Sequence, residues 1–198
     1  MKSIFKKVGN KMLQQPLKFS HEVLKDTIIT GDHVIDATIG NGNDTLLLAQ
    51  LVGPYGKVYG FDIQDEAIKT TEDKLLLTGQ RPQVQLINDG HENIDHYLEE
   101  NELISAVTFN LGYLPKGDKS ITTKPETTLT AIKKALNYLR RQGVLSIMVY
   151  SGHEGGLEEK EAVDSLVSQL PQKEYNVLMY KFINQVNLPP YLYIVEKR

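Results

Sequence analysis

The sequence predicts an α/β domain built on a doubly wound, largely parallel sheet of the nucleotide-binding kind, and three observations carry that prediction. Residues 34–39, a mainly apolar run broken by Asp36 and carrying Thr38, read as a buried strand. They run into Gly40-Asn41-Gly42-Asn43, a turn in which glycine, or asparagine at modest cost, takes positive φ. Asp44-Thr45 then opens a helix through residues 46–52 that Gly53 is placed to end. The second strand, residues 57–63, carries Asp62 near its end, twenty residues after Gly42. That is where such folds place the carboxylate that holds a ribose diol.

The turn also discriminates between nucleotides. A dinucleotide site wants a third glycine where Thr45 stands, and it rests a pyrophosphate on the helix N-terminus. Asp44 at that helix mouth complements the helix dipole but repels a pyrophosphate. A ligand with a cationic centre and no phosphate suits the turn better, which favours S-adenosylmethionine (SAM) over NAD. On this reading Asp36 faces the amino group, Thr38 lies beside the methionine part, and the backbone of Gly40, Asn41, Gly42 and Asn43 approaches it closely; the alternative is Asp36 as a buried turn-former and Asp44 as a helix cap. Asp62 takes the ribose hydroxyls while Ile63 and Gln64 flank the adenine.

Composition narrows the class. At 198 residues the chain is read as one domain, with residues 1–30 as an N-terminal helical arm. No apolar run reaches the roughly 18–20 residues that span a membrane. There is no signal-like core, and cysteine is absent, so a reducing, cytoplasmic setting is expected. The net charge of −3 argues against indiscriminate nucleic-acid binding but leaves room for local basic patches. One such patch is Lys2, Lys6, Lys7, Lys11 and Lys18, with no acidic residue before Glu22. It reads either as a solvated terminus or as an arm that touches a phosphate backbone.

In chain order, residues 20–29 form a short amphipathic helix with Ser20 as its N-cap. After Asp62 a helix presents Ile68, Leu75 and Leu76 on one face and ends at Gly79. The third strand, residues 84–89, ends in Asp89-Gly90-His91. Asp89 is a candidate for the adenine amino group, and His91 is either a helix start or pocket wall. The fourth strand ends in Asn110-Leu-Gly-Tyr113-Leu-Pro115, and the polar loop 116–124 that follows, with Lys116, Lys119 and Lys124, is long enough for a substrate lid. A helix from Pro125 carries Leu129, Ile132, Leu136 and Leu139 and closes at Gly143. A fifth strand, 144–150, leads to His153 and Glu154, and a helix and two closing strands complete the chain. His21, His33 and His96 have no metal-ligand spacing and receive no role.

These stretches together resemble a known family. They are Asp36-Ala-Thr-Ile-Gly-Asn-Gly-Asn-Asp-Thr45, Phe61-Asp-Ile-Gln64, Phe109-Asn-Leu-Gly-Tyr-Leu-Pro115, Tyr150-Ser-Gly-His153 and Ile183-Asn-Gln185 with Pro189-Pro190. The family is that of the small bacterial SAM-dependent RNA methyltransferases of the rRNA methylase type, and the likeness is greatest to those acting on tRNA 5-aminomethyl-2-thiouridine. The resemblance implies a class I methyltransferase (Rossmann-like) fold, with a seven-stranded sheet whose last strand is antiparallel and helices on both faces. It also implies methylation of the aminomethyl nitrogen at wobble position 34, the tRNA anticodon loop as partner, and a homodimer.

Methyl transfer is an in-line displacement, so orientation supplies much of the catalysis, but an ammonium must first lose a proton. The expected catalytic groups are Asn110, whose amide or adjoining backbone carbonyls orient the amine, Tyr113, which stacks on the uracil or else packs at the strand end, and His153, which either accepts the proton or holds its loop. Lys116 and Lys119 are expected to meet tRNA phosphates, and no metal is expected. The alternatives are an exocyclic base amine of rRNA or DNA as the methyl acceptor, an NAD(P)-dependent reductase, and a catalytically silent SAM- or RNA-binding module.

Overall fold

A computed structural model of the chain describes residues 13–114, 117–118 and 120–198. The predicted Lys2, Lys6, Lys7 and Lys11 of the arm, and Lys116 and Lys119 of the loop, lie outside the described residues.

Seven strands form one sheet: β1 (His33–Asp36), β2 (Lys57–Phe61), β3 (Val84–Ile87), β4 (Ile104–Leu111), β5 (Leu139–Val149), β6 (Tyr175–Tyr180) and β7 (Tyr191–Lys197). Their spatial order is β3-β2-β1-β4-β5-β7-β6. The pairs β3–β2, β2–β1, β1–β4 and β4–β5 are parallel, whereas β7 runs antiparallel to both β5 and β6. This is the sheet that the resemblance implies. The order reverses between β1 and β4, so the carboxyl ends of those neighbours open the crevice in which doubly wound sheets hold ligands.

Side-chain alternation along the central strands sorts the helices onto two faces. Val34, Val58 and Ala106 join Leu24 of α1 (Pro16–Thr27), Leu48, Ala49 and Val52 of α2 (Asn43–Val52), and Leu75 of α3 (Asp65–Leu77). Ile35, Tyr59 and Val107 face the other way, onto Ala131, Ile132 and Ala135 of α4 (Pro125–Tyr138) and Val163 and Val167 of α5 (Gly156–Ser168). A 3-10 segment, His91–His96, packs on α4.

Four expectations need correction. Ser20 is no cap: α1 begins at Pro16, whose fixed φ suits the first turn, and the buried Ser20 hydroxyl bonds Ser146 Oγ at 2.6 Å. The helix thus spans Pro16–Thr27 rather than residues 20–29, and it packs into the core with Leu24 fully buried. Leu76 points to solvent, and the buried stripe of α3 is Ala67, Thr71 and Leu75. Gly143 does not close α4. The helix stops at Tyr138, Leu139 opens β5, and Arg140 to Gly143 bulge opposite Ser105 alone. A Cβ at Gly143 would lie 2.8 Å from the Arg140 carbonyl oxygen, so the bulge needs glycine.

Candidate functional site

At the carboxyl edge of the sheet lies a cavity of about 830 Å³, walled by the segments that follow β1, β2, β3, β4 and β5. Its floor is the glycine turn. Gly40 and Gly42 adopt φ of 53° and 70°, and Gly42 caps α2 in the left-handed region. Thr71 of α3 sits so close beneath Gly42 that a Cβ there would stand 2.3 Å from the threonine hydroxyl. Lys74, one turn further along α3, donates to the Asn41 carbonyl at 2.5 Å and to Asn43 Oδ1 at 2.7 Å, fixing the turn from outside.

Asp62 ties two walls together. Its Oδ2 accepts from the Gly40 amide and its Oδ1 from the Gln64 amide, both at 2.9 Å. Burial raises its carboxyl above the usual value, while those two amides favour the charged form. Each oxygen keeps a lone pair, so the group can still accept a pair of hydroxyls from the cavity. Next to it Ile63, an apolar side chain left 60% exposed, offers a surface for a flat ring, with Gln64 beside it on the wall.

Asp89 is also on the wall, though its oxygens are already engaged by Asn93 Nδ2 (3.0 Å), Tyr97 Oη (2.8 Å) and the Gly90 amide (2.7 Å). The Asn93 and Tyr97 bonds hold its carboxyl below the usual range. His91 resolves as pocket wall and helix start at once. It begins the 3-10 segment and lines the cavity, with its ring Nδ1–H donating to the Ala37 carbonyl at 3.0 Å. Burial lowers its pKa, so the imidazole is neutral and its Nε2 is an acceptor.

Asp36 departs from expectation. It is fully buried beneath the turn instead of lying on the cavity wall, because Thr45 Oγ1 (2.6 Å), Thr108 Oγ1 (3.3 Å) and the Thr38 amide (3.3 Å) draw its carboxylate inward. Burial first, and Asp44 second, push its pKa up to about 7. Its part is to brace the turn. Thr38 remains on the wall, and its hydroxyl oxygen accepts the Asn110 main-chain N–H at 2.7 Å.

The wall after β4 holds Asn110, Gly112 and Tyr113. Asn110 Nδ2 donates to Asp44 Oδ2 at 2.7 Å, and a carboxylate only accepts, so the amide orientation is chemically fixed and Asn110 Oδ1 is the acceptor that remains. Tyr113, 38% exposed, stands edge-on to His153 with ring centroids 5.8 Å apart. His153 Nε2 is buried and has no hydrogen-bond partner among the described residues. The loop neck is clamped: Thr123 pairs with Gly112 through both main chain and hydroxyl at 2.9 Å, and Thr123 and Thr128 hydroxyls both bond the buried Glu159. Lys124 lies on the cavity wall at the end of the loop.

Sequence reasoning gave no cavity role to several residues that share this space. Asp44 was read only as a helix-mouth charge, yet it lines the cavity and joins His21 Nε2 (2.8 Å) to Asn110. Tyr150 lines it too, its hydroxyl pKa raised by burial and then by Asp44. Leu17 of α1 and Leu188 and Pro190 of the β6–β7 loop add an apolar side. The Tyr150-Ser-Gly-His153 stretch was the one local signal available for this group; the rest is brought in by tertiary packing.

The site suits SAM on structural grounds: left-handed glycines allow close backbone approach, and the Asp62 carboxylate on the cavity wall keeps acceptor capacity beyond its two backbone bonds. Comparisons with known proteins agree. Residues 58–196 match the family described as "Putative rRNA methylase". The chain is 41% identical to an Arabidopsis thaliana protein named tRNA (mnm(5)s(2)U34)-methyltransferase, chloroplastic, over 90% of this chain and 68% of that one. A "putative rRNA-methylase" of Clostridium thermocellum has a crystal structure similar at TM-score 0.92 and 46% identity, covering 95% of this chain and 100% of that chain. A "putative methyltransferase" of Streptococcus mutans, solved in complex with SAH, is similar at TM-score 0.86 and 44% identity, covering 94% and 100%. The chain belongs to this rRNA methylase family and is a SAM-dependent methyltransferase.

Proposed function

We propose that the protein methylates the aminomethyl nitrogen of 5-aminomethyl-2-thiouridine at wobble position 34 of tRNA, giving the 5-methylaminomethyl product. The observation that carries the reading is the 41% identity, across 90% of the chain, to a protein named for methylation at that nucleoside. The site's chemistry supports it. The bond from Asn110 Nδ2 to Asp44 fixes the amide orientation and leaves Oδ1 as an acceptor suited to an N–H of an amine. Tyr113 and His153 form an aromatic corner for an unstacked base of a single-stranded loop.

SAM supplies an electrophilic methyl. Asp62 holds the ribose hydroxyls, Asp89 and Ile63 with Gln64 bound the adenine, and Thr38 with the Gly40–Asn43 turn and Gly90 shape the remainder. His91 stays neutral and acts as wall and acceptor. Lys124 at the cavity, with Lys116 and Lys119 of the same loop and the lysines of residues 1–18, meets anticodon-loop phosphates. A homodimer is part of the proposal: β6 ends the sheet and leaves Val177, Leu178 and Met179 exposed. A cytoplasmic location goes with the tRNA substrate, and no helix among the described residues is long and apolar enough to cross a membrane.

Nucleoside mass spectrometry of tRNA from cells with and without the gene tests this. Loss of the methylaminomethyl nucleoside with build-up of its aminomethyl precursor is expected. An unchanged tRNA profile together with one missing methyl on an exocyclic amine of rRNA or DNA would replace it with the alternative.

A further inference from the structure

Three side chains from three elements form one hydrogen-bonded chain that ends in the cavity. His21 Nε2 of α1 meets Asp44 Oδ1 at 2.8 Å, and Asp44 Oδ2 accepts from Asn110 Nδ2 at 2.7 Å. The Asp44 side chain is only 12% exposed and the His21 side chain 27%, so the carboxylate is sheltered and its histidine partner is reached by water. A carboxylate offers about four lone-pair positions, of which these neighbours take two, and Asp44 lines the cavity. Asp44 is thus a carboxyl acceptor on the cavity wall, bonded to the Asn110 amide. At that point an incoming ammonium must give up a proton before its nitrogen can attack.

We propose that Asp44 takes the proton from the substrate ammonium, and that His21 is the positioning residue that holds the Asp44 carboxylate in place. The inference rests on the amine-methylating reading above. One N–H bond of the ammonium breaks and an O–H bond forms on Asp44. The freed nitrogen lone pair then forms the new N–C bond to the methyl while the C–S bond breaks, its electron pair staying on sulfur. The product leaves as a secondary ammonium, and Asp44 returns its proton to water. Asn110 Oδ1 accepts a second N–H and turns the lone pair toward the methyl. A carboxylate by itself favours the cationic amine, but burial and the sulfonium on the far side of the nitrogen oppose that form. The titratable groups acting around Asp44 are His21 on α1, Asp36 on β1 and Tyr150 after β5, with the neutral Asn110 on β4.

The test uses the full-length protein, tRNA carrying the aminomethyl nucleoside, and single-turnover rates at saturating SAM from pH 6 to 10. General-base removal costs on the order of 10²–10⁴ in rate. Asp44→Asn should lose at least about a hundredfold at pH 7 and then climb roughly tenfold per pH unit while the wild type levels off. Its SAH affinity by calorimetry, without tRNA, should stay within about threefold of wild type. His21→Gln, which can still donate to the carboxylate, should keep most activity, whereas His21→Ala should lose about tenfold and add nothing to Asp44→Asn. A fall in SAH affinity that matches the rate loss would make Asp44 a cofactor ligand and overturn the proposal. So would an unshifted pH profile in Asp44→Asn, or the same shift produced by His153→Ala instead. An inactive wild type on this tRNA would overturn the substrate reading and the proton role with it, an outcome distinct from an active wild type with an indifferent Asp44.

Discussion

Replacing Asp62 by alanine removes an acceptor that serves the fold and the ligand together, and the two effects separate by size. Within the protein, the Gly40 and Gln64 amides lose a bond of 2.9 Å each. Both open onto the cavity, where water replaces the carboxylate, so the stability cost falls at the low end of the usual 1–3 kcal/mol per unsatisfied group, about 1–2 kcal/mol in all. For the ligand, a hydrogen bond to a charged acceptor contributes about 1.5–3 kcal/mol. With about 1.4 kcal/mol per tenfold, SAM should bind on the order of ten- to a hundredfold more weakly. Calorimetric titration measures the affinity, and thermal unfolding should show a fall of only a few degrees. Asp62→Asn should do nearly as badly, because its new N–H group must confront a backbone amide. An unchanged dissociation constant in Asp62→Ala would remove this residue from the ribose site, and NAD titrated in the same way should give no binding.

Other expectations follow from particular contacts. Gly42→Ala forces a left-handed φ of 70° and places a methyl against Thr71; it should cost about 2–4 kcal/mol in urea unfolding, partly relieved by Thr71→Ala and unrelieved if the reasoning is wrong. Asp36 carries a pKa of about 7 in the fold against 3.8 when free, so the folded state binds the extra proton. Its contribution is therefore intact below the free value and declines as pH rises from about 4 through 7, by at most about 4 kcal/mol. Asp36→Asn should flatten that decline relative to wild type in denaturant midpoints taken at pH 5 and pH 8, and parallel curves would refute the shift. Tyr113→Phe should retain most methyl transfer and Tyr113→Ala should not, while equal large losses would assign the role to the hydroxyl rather than to the ring.

Features of the fold that were legible in the sequence were local ones. The strand, left-handed glycine turn and helix of residues 33–52 could be read because each step depends on a few adjacent residues, and Asp62 followed from spacing. Readings that failed did so where tertiary contacts overrode a local signal. Ser20 looks like a cap until Pro16 starts the helix and Ser146 receives its hydroxyl. Gly143 looks like a helix stop until the Ile104 and Ser105 carbonyls are seen within 3.1 Å of where its Cβ would be. Asp36 sits in an apolar run like a ligand group, but its inward placement is fixed by hydrogen bonds from Thr45 and Thr108, the latter 72 residues away. The His21–Asp44–Asn110 chain spans separations of 23 and 66 residues, and no spacing rule reaches that far.

The central claim is that this site moves one methyl from SAM to an amine on a tRNA wobble nucleoside. The most direct measurement incubates the purified protein with SAM carrying an isotopically labelled methyl and with two matched tRNAs, one bearing 5-aminomethyl-2-thiouridine at position 34 and one bearing unmodified uridine there. Digestion and mass spectrometry should then find a single labelled methyl on the aminomethyl nitrogen of the first tRNA and none on the second. Label on a ring or exocyclic base position, or equal label on both tRNAs, would contradict the account.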